Sequence, residues 1–129
     1  MIETKGTYRK YPYVIIFDEI FGFRCGYIGL SKTHKYYKTY YSDIDFDCHG
    51  GLTFSDFTSI LGDDYWWIGF DCNHGTDGVD IEACKKYGCK DLQFVERMYE
   101  IKKEFRFMTM EDCIEECKSL IDQAIREEK

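Results

Sequence analysis

Hydrophobic positions follow two periods along this chain: alternate residues through the first half, and every third or fourth residue through the last third. Val14–Asp18 (Val-Ile-Ile-Phe-Asp) reads as a strand, Glu19–Gly22 as a turn, and Phe23–Leu30 as a second strand, which together predict a β-hairpin. Alternation places Phe23, Cys25 and Tyr27 on one face of that strand and Arg24 and Ile28 on the other. Gly26 and Gly29 mark a bulge or a close backbone approach. Asp43–His49 alternates cleanly, so a strand is expected with Ile44, Phe46 and Cys48 inward and Asp43, Asp45, Asp47 and His49 outward. Gly50-Gly51 breaks it, and Leu52–Phe54 resumes it. Residues 1–12 read as polar and peripheral, Ser31–Ser42 as a loop, and Ser55–Asp64 as a loop or short helical turn. Tyr65–Asp77 begins as a buried aromatic strand holding both tryptophans, then becomes a turn marked by Asn73, Gly75 and Gly78.

The helical period takes over near residue 80. Asp80 caps a short helix, Ile81–Tyr87, with Gly88 as its stop. Asp91–Phe105 carries Leu92, Phe94, Val95, Met98, Ile101 and Phe105 at helical spacing. Thr109–Asp112 is a capping box with Asp in the usual Glu place. The helix it opens runs to about Glu127, with an inner stripe of Ile114, Cys117, Ile121, Ala124 and Ile125 and with Cys113 on its flank. Strands first and helices second predict one α+β domain over residues 1–129, with a mostly antiparallel sheet from the N-terminal two-thirds packed by two C-terminal helices.

Charge changes the picture more than length does. The net charge is −7, and it is uneven: residues 39–84 hold ten Asp/Glu and no Lys or Arg. Such a block repels nucleic acid and is attracted to basic surfaces. It reads either as a solvated face that aids solubility or as a surface that docks on the basic, nucleic-acid-binding groove of a partner. The basic and aromatic residues mixed in Ser31–Ser42 are a short exception, with the composition of a single-strand grip. Asp43-x-Asp45-x-Asp47 opens like a calcium loop, but the sixth position lacks Gly and Phe54 stands where the bidentate Glu belongs. No apolar run is long enough to span a bilayer and the N-terminus lacks a signal-peptide core, so the expected location is the cytoplasm. Seven cysteines, an odd number, argue for ligands and buried thiols over a disulfide framework.

Cys113 and Cys117 belong to a helical core stripe, Cys48 alternates with core residues, and Cys84 and Cys89 are spaced one residue beyond the usual ligand range. That leaves Cys25, His49, Cys72 and His74, each beside glycine or in a turn at a strand end. A Cys2His2 set from three segments suits tetrahedral, structural Zn2+. The competing reading is packed or hydrogen-bonded side chains without metal. Asp71 or Asp77 replaces one ligand in a variant of the scheme, or holds a histidine through its second ring nitrogen. An enzyme is also compatible: three ligands with an open position, and Asp71 or Asp47 as base, or a thiol of Cys25 or Cys72 with His49 and an Asp. No His-Glu-x-x-His or Pro-Cys-x-x-Cys signature is present.

Three pieces, Cys25-Gly-Tyr-Ile-Gly29, His49-Gly-Gly-Leu-Thr-Phe54 and Trp66-Trp-Ile-Gly-Phe-Asp-Cys-Asn-His74, resemble a family of small phage and prophage proteins carrying these motifs. The resemblance covers roughly residues 23–77 and picks out the same Cys25, His49, Cys72 and His74; Cys84–Cys89 and the lengthened helical tail depart from it. Among such phage proteins it is similar to a zinc-containing type II-A anti-CRISPR protein. The resemblance implies a phage-encoded acidic protein, acting in the host cytoplasm, that docks on a CRISPR nuclease such as Cas9 and blocks DNA loading. The alternatives are a small metal- or thiol-dependent hydrolase, and a phage sponge for a signal nucleotide that stacks on Tyr36–Tyr41.

Overall fold

Strands run Ile2–Tyr8 (β1), Tyr11–Phe17 (β2), Arg24–Leu30 (β3), Phe54–Thr58 (β4) and Gly62–Asp71 (β5), followed by helices Ile81–Tyr87 (α1), Leu92–Lys102 (α2) and Met110–Arg126 (α3). The computed structural model describes residues 1–128. The five strands form one sheet in the order β1-β2-β3-β5-β4, every neighbouring pair antiparallel. The α+β architecture expected from the two periods is therefore present, with three helices.

Three departures from the expected elements have physical causes. Residues 1–12 are not peripheral: β1 pairs with β2 along most of its length. The hairpin turns at Arg9-Lys10, both at positive φ (50° and 74°), as a two-residue turn between right-twisted strands requires. Without Gly or Asn there, no turn signal announced the strand. Ser55–Asp64 is likewise a hairpin, β4 to β5, and its Ser, Asp and Thr side chains reflect an edge strand.

Asp43–His49 is the converse case. Ile44 and Phe46 are buried as the alternation demands, but the segment has no partner strand and follows a single 3-10 turn at Tyr41–Asp43. Side chains of α3 satisfy its backbone instead. Gln123 accepts from Asp47 N (2.8 Å) and donates to Asp47 O (2.8 Å), while Glu116 accepts from His49 N (2.8 Å).

α3 covers one face of the sheet. Its buried stripe is Cys113, Cys117, Leu120, Ile121 and Ala124, rotated slightly from the expected one so that Ile114 and Ile125 lie at the margins. The stripe meets Ile15, Ile28, Leu30, Ile68 and Phe70. Each fully buried Leu or Ile contributes roughly 1.5–3 kcal/mol. The expected capping box is formed by Thr109 and Asp112. A second cluster joins Phe17 to Val79, Ala83, Cys84 and Val95 under α1 and α2. Asp80 caps α1 and Gly88 ends it in the left-handed conformation, as expected. Between the clusters lies a buried charge. Arg24, 5% exposed, donates from Nε and Nη2 to Glu3 (2.6 and 2.9 Å) and from Nη1 to Asp80 (2.7 Å) and Met108 O (3.1 Å). Tyr87 donates to the same Glu3 carboxylate. Burial opposes the guanidinium charge, but the hydrogen bonds it donates to Glu3 and Asp80 outweigh it and keep Arg24 protonated.

Candidate metal centre

β5 ends at Asp71, and the chain turns through Cys72–Val79 before α1 begins. Asp77 sits inside this turn, 3% exposed, and organises it. Its Oδ2 accepts from His74 N (2.9 Å) and lies 3.0 Å from His74 Nδ1, while Oδ1 lies 2.6 Å from His49 Nε2. His49 arrives from the turn at Cys48–Gly51, closed by Gly51 N donating to Cys48 O. Gly50 has φ +68°, and a Cβ there would lie 2.1 Å from His74 Cε1, so bare backbone is what lets the two histidines meet. Burial raises the Asp77 carboxyl, but the His74 N–H and the two imidazoles more than offset it, leaving its pKa below the usual range.

The ligand atoms of His49, His74 and Asp77 all lie within 4.8 Å of one another, and among the described residues no other such group of three His, Cys, Asp or Glu converges. A tetrahedral ion with bonds near 2.0–2.1 Å needs ligand atoms about 3.3 Å apart. His49 Nε2 and His74 Nδ1 both face the Asp77 carboxylate, and an ion would take the place of those two hydrogen bonds. Lys102 donates to His74 O (3.3 Å), steadying the turn from outside. Asp71 Oδ1 stands 3.9 Å from His74 Nε2 and accepts from Asn73 N (3.0 Å).

Of the four residues expected to hold zinc, His49 and His74 come together and Cys25 and Cys72 stay outside the group. Strand alternation separates the two thiols. Cys72 continues the Phe70 side of β5 into the core, its Sγ 3.7 Å from Cys113 Sγ. Its hydrogen bond to Cys113 and its burial both push the thiol up, so it stays protonated. Cys25 lies opposite Asp71 on the other face of the sheet, where burial, with Asp71 adding to it, pushes its thiol up to about 12. Neither thiol lies with the two imidazoles, whatever its protonation state. Asp77, raised on the sequence as a replacement ligand, is the third member of the group. Cys113 and Cys117 are core thiols, as expected, while Cys84 is buried beside Gly22 in the second cluster and Cys89 packs against that cluster. His34, the third histidine, is buried with Nε2 2.8 Å from Ala124 O.

His74 and Asp71 also border a groove of about 540 Å³ on the sheet face that α3 leaves uncovered. Its floor and walls include Phe23, Cys25, Tyr27 and Phe54. In the aromatic loop at residues 36–41, Tyr36 lies edge-on to Phe46 and Tyr37 edge-on to Phe57, while Tyr40 leans on Tyr41 and is exposed. No described helix is long and apolar enough to cross a membrane.

No family model, curated protein or solved structure matches the chain. The motif resemblance to phage proteins therefore rests on those motifs.

Proposed function

We propose that this protein is a small metal-dependent hydrolase whose ion is held by His49, His74 and Asp77. One observation carries the reading: three protein ligand atoms converge, with the two imidazoles only partly buried and one of them, His74, at the border of a groove. Sites with three protein ligands and an accessible fourth position are the catalytic kind, whereas structural zinc sites are closed by four. A bound Zn2+ would supply Lewis acidity toward a carbonyl at the groove mouth. Asp77 would join His49 Nε2 and His74 Nδ1 on the ion, and Asp71, 3.9 Å from His74 Nε2, would hold that ring through its second nitrogen. The overall reaction adds water across an ester or amide bond.

Elemental analysis of purified protein, together with turnover of a panel of p-nitrophenyl esters and amino-acid p-nitroanilides, tests this. Expected are one metal per chain and turnover abolished by EDTA, restored by Zn2+ and lost in His74→Ala. Protein that retains no metal, or turnover indifferent to EDTA, overturns it.

A second reading keeps the protein as an acidic inhibitor that docks on a host CRISPR nuclease such as Cas9, with the ion structural. Asp43, Asp45, Asp47, Asp56, Asp63 and Asp64 support it: all are exposed, and none is ion-paired among the described residues. Binding to the basic partner surface should then weaken steeply from low to high salt. A salt-independent interaction would count against it.

A further inference from the structure

The groove beside the metal centre has its own chemistry. Gly69 of β5 faces Tyr27 of β3 on one side and Phe54 of β4 on the other. A Cβ at Gly69 would lie 2.5 Å from Tyr27 Cδ1, so the Tyr27 ring lies across bare backbone in the middle of the sheet. Phe54 stands edge-on to it, with ring centroids 5.2 Å apart and planes at 81°. The two rings form a floor and a wall. Two residues along β5 on the same face is Asp71, roughly 7 Å from Gly69 along the strand. The groove lining contains no Lys or Arg; its one anion is Asp71 and its remaining polar groups are Thr53, Asn73, His74, the Tyr27 hydroxyl and the Cys25 thiol.

Two aromatic faces beside a carboxylate, in a groove without cations, attract positive charge. Ring quadrupoles draw ammonium and guanidinium groups to their faces, and a half-buried carboxylate adds a directed hydrogen-bond acceptor. The same lining disfavours phosphate, which needs Lys, Arg or converging backbone N–H groups. We propose that the groove is a binding site for an arginine side chain, with the guanidinium stacked on Tyr27 against Phe54 and hydrogen-bonded to Asp71. Combined with the hydrolytic reading, on which only this extension rests, the substrate is a basic peptide rather than a nucleotide.

The test uses the full chain, 15N-labelled and freed of metal with EDTA, so that its outcome is separate from that of the metal site. Nα-acetyl-arginine amide, its neutral isostere Nα-acetyl-citrulline amide and adenosine monophosphate are titrated in turn. The arginine amide should shift the backbone signals of Phe54, Gly69 and Asp71 and bind at least about tenfold more tightly than the citrulline amide. Asp71→Asn should reduce the preference for the arginine amide to about two- to fivefold, the part the rings supply, and Phe54→Leu should weaken the arginine amide about two- to fivefold. The amide spectrum itself reports whether each variant is folded. Equal binding of the two amides by the unaltered chain, tighter binding of adenosine monophosphate, or an arginine preference undiminished by Asp71→Asn overturns the proposal. Loss of hydrolysis in the metal experiment with this preference intact would overturn the enzyme and leave the arginine site standing.

Discussion

Two polar clusters are built on the same short segment, and they differ in what they leave unmet. Asp80 faces Arg24, and three residues earlier Asp77 faces His49 and His74. Around Arg24 each of the three guanidinium nitrogens has a partner, and the guanidinium and the Glu3 carboxylate are both almost fully buried. Around Asp77 the carboxylate is buried and satisfied, but the imidazoles are about a third exposed, and His49 Nδ1 has no hydrogen-bond partner among the described residues. A closed set of hydrogen bonds belongs to folding. Donor atoms converging on a surface with spare capacity belong to chemistry.

The largest effect should come from breaking the closed cluster. Arg24→Met leaves Glu3 and Asp80 without their cation in a largely buried site and should cost about 3–5 kcal/mol in urea unfolding, with little change in how the folded fraction binds metal. A cost below about 1 kcal/mol would dissolve the contrast.

Next is the open cluster. His49→Ala or His74→Ala should weaken Zn2+ binding at least about a hundredfold, read by competition with a chromogenic chelator. Cys25→Ala and Cys72→Ala should leave it within about threefold, because neither thiol reaches the group. Abolition by Cys72→Ala would restore the cysteine-based set.

Smaller is the acid limb. The Asp77 pKa is depressed in the fold, so its stabilisation is complete above the unfolded carboxylate value of about 3.9 and is lost as pH falls through the lower folded value. Asp77→Asn in metal-free protein should therefore flatten the pH dependence of stability below about pH 4. An unchanged acid limb would mean the carboxylate is not held as described. The smallest effect expected is on Cys72→Ala stability, about 1 kcal/mol for a small void against Cys113.

How much was legible follows from which forces act locally. The α+β class, the caps of α1 and α3 and the Phe23–Leu30 facing came through because period and capping are local properties. β1 and β4 were hidden because edge strands carry polar residues and the Arg9-Lys10 turn uses no turn-forming residue. At the site, His49, His74 and Asp77 were singled out by residue type, but that these three side chains lie together and Cys25 and Cys72 lie apart from them depends on which side of β3 and β5 meets α3, which no local pattern shows. Arg24 was placed opposite Cys25 correctly, yet its partners at Glu3 and Asp80 lie far off in sequence and no spacing rule reaches them.

The ribbon from Asp43 to His49 is fastened to α3 by side chains and joins no ladder. It can lift without tearing the sheet, and it carries one imidazole of the centre at its end. An ion bound there would act as a clasp, slowing that lifting in proportion to occupancy. Amide exchange in this one stretch would then read out metal loading while the rest of the sheet stayed indifferent.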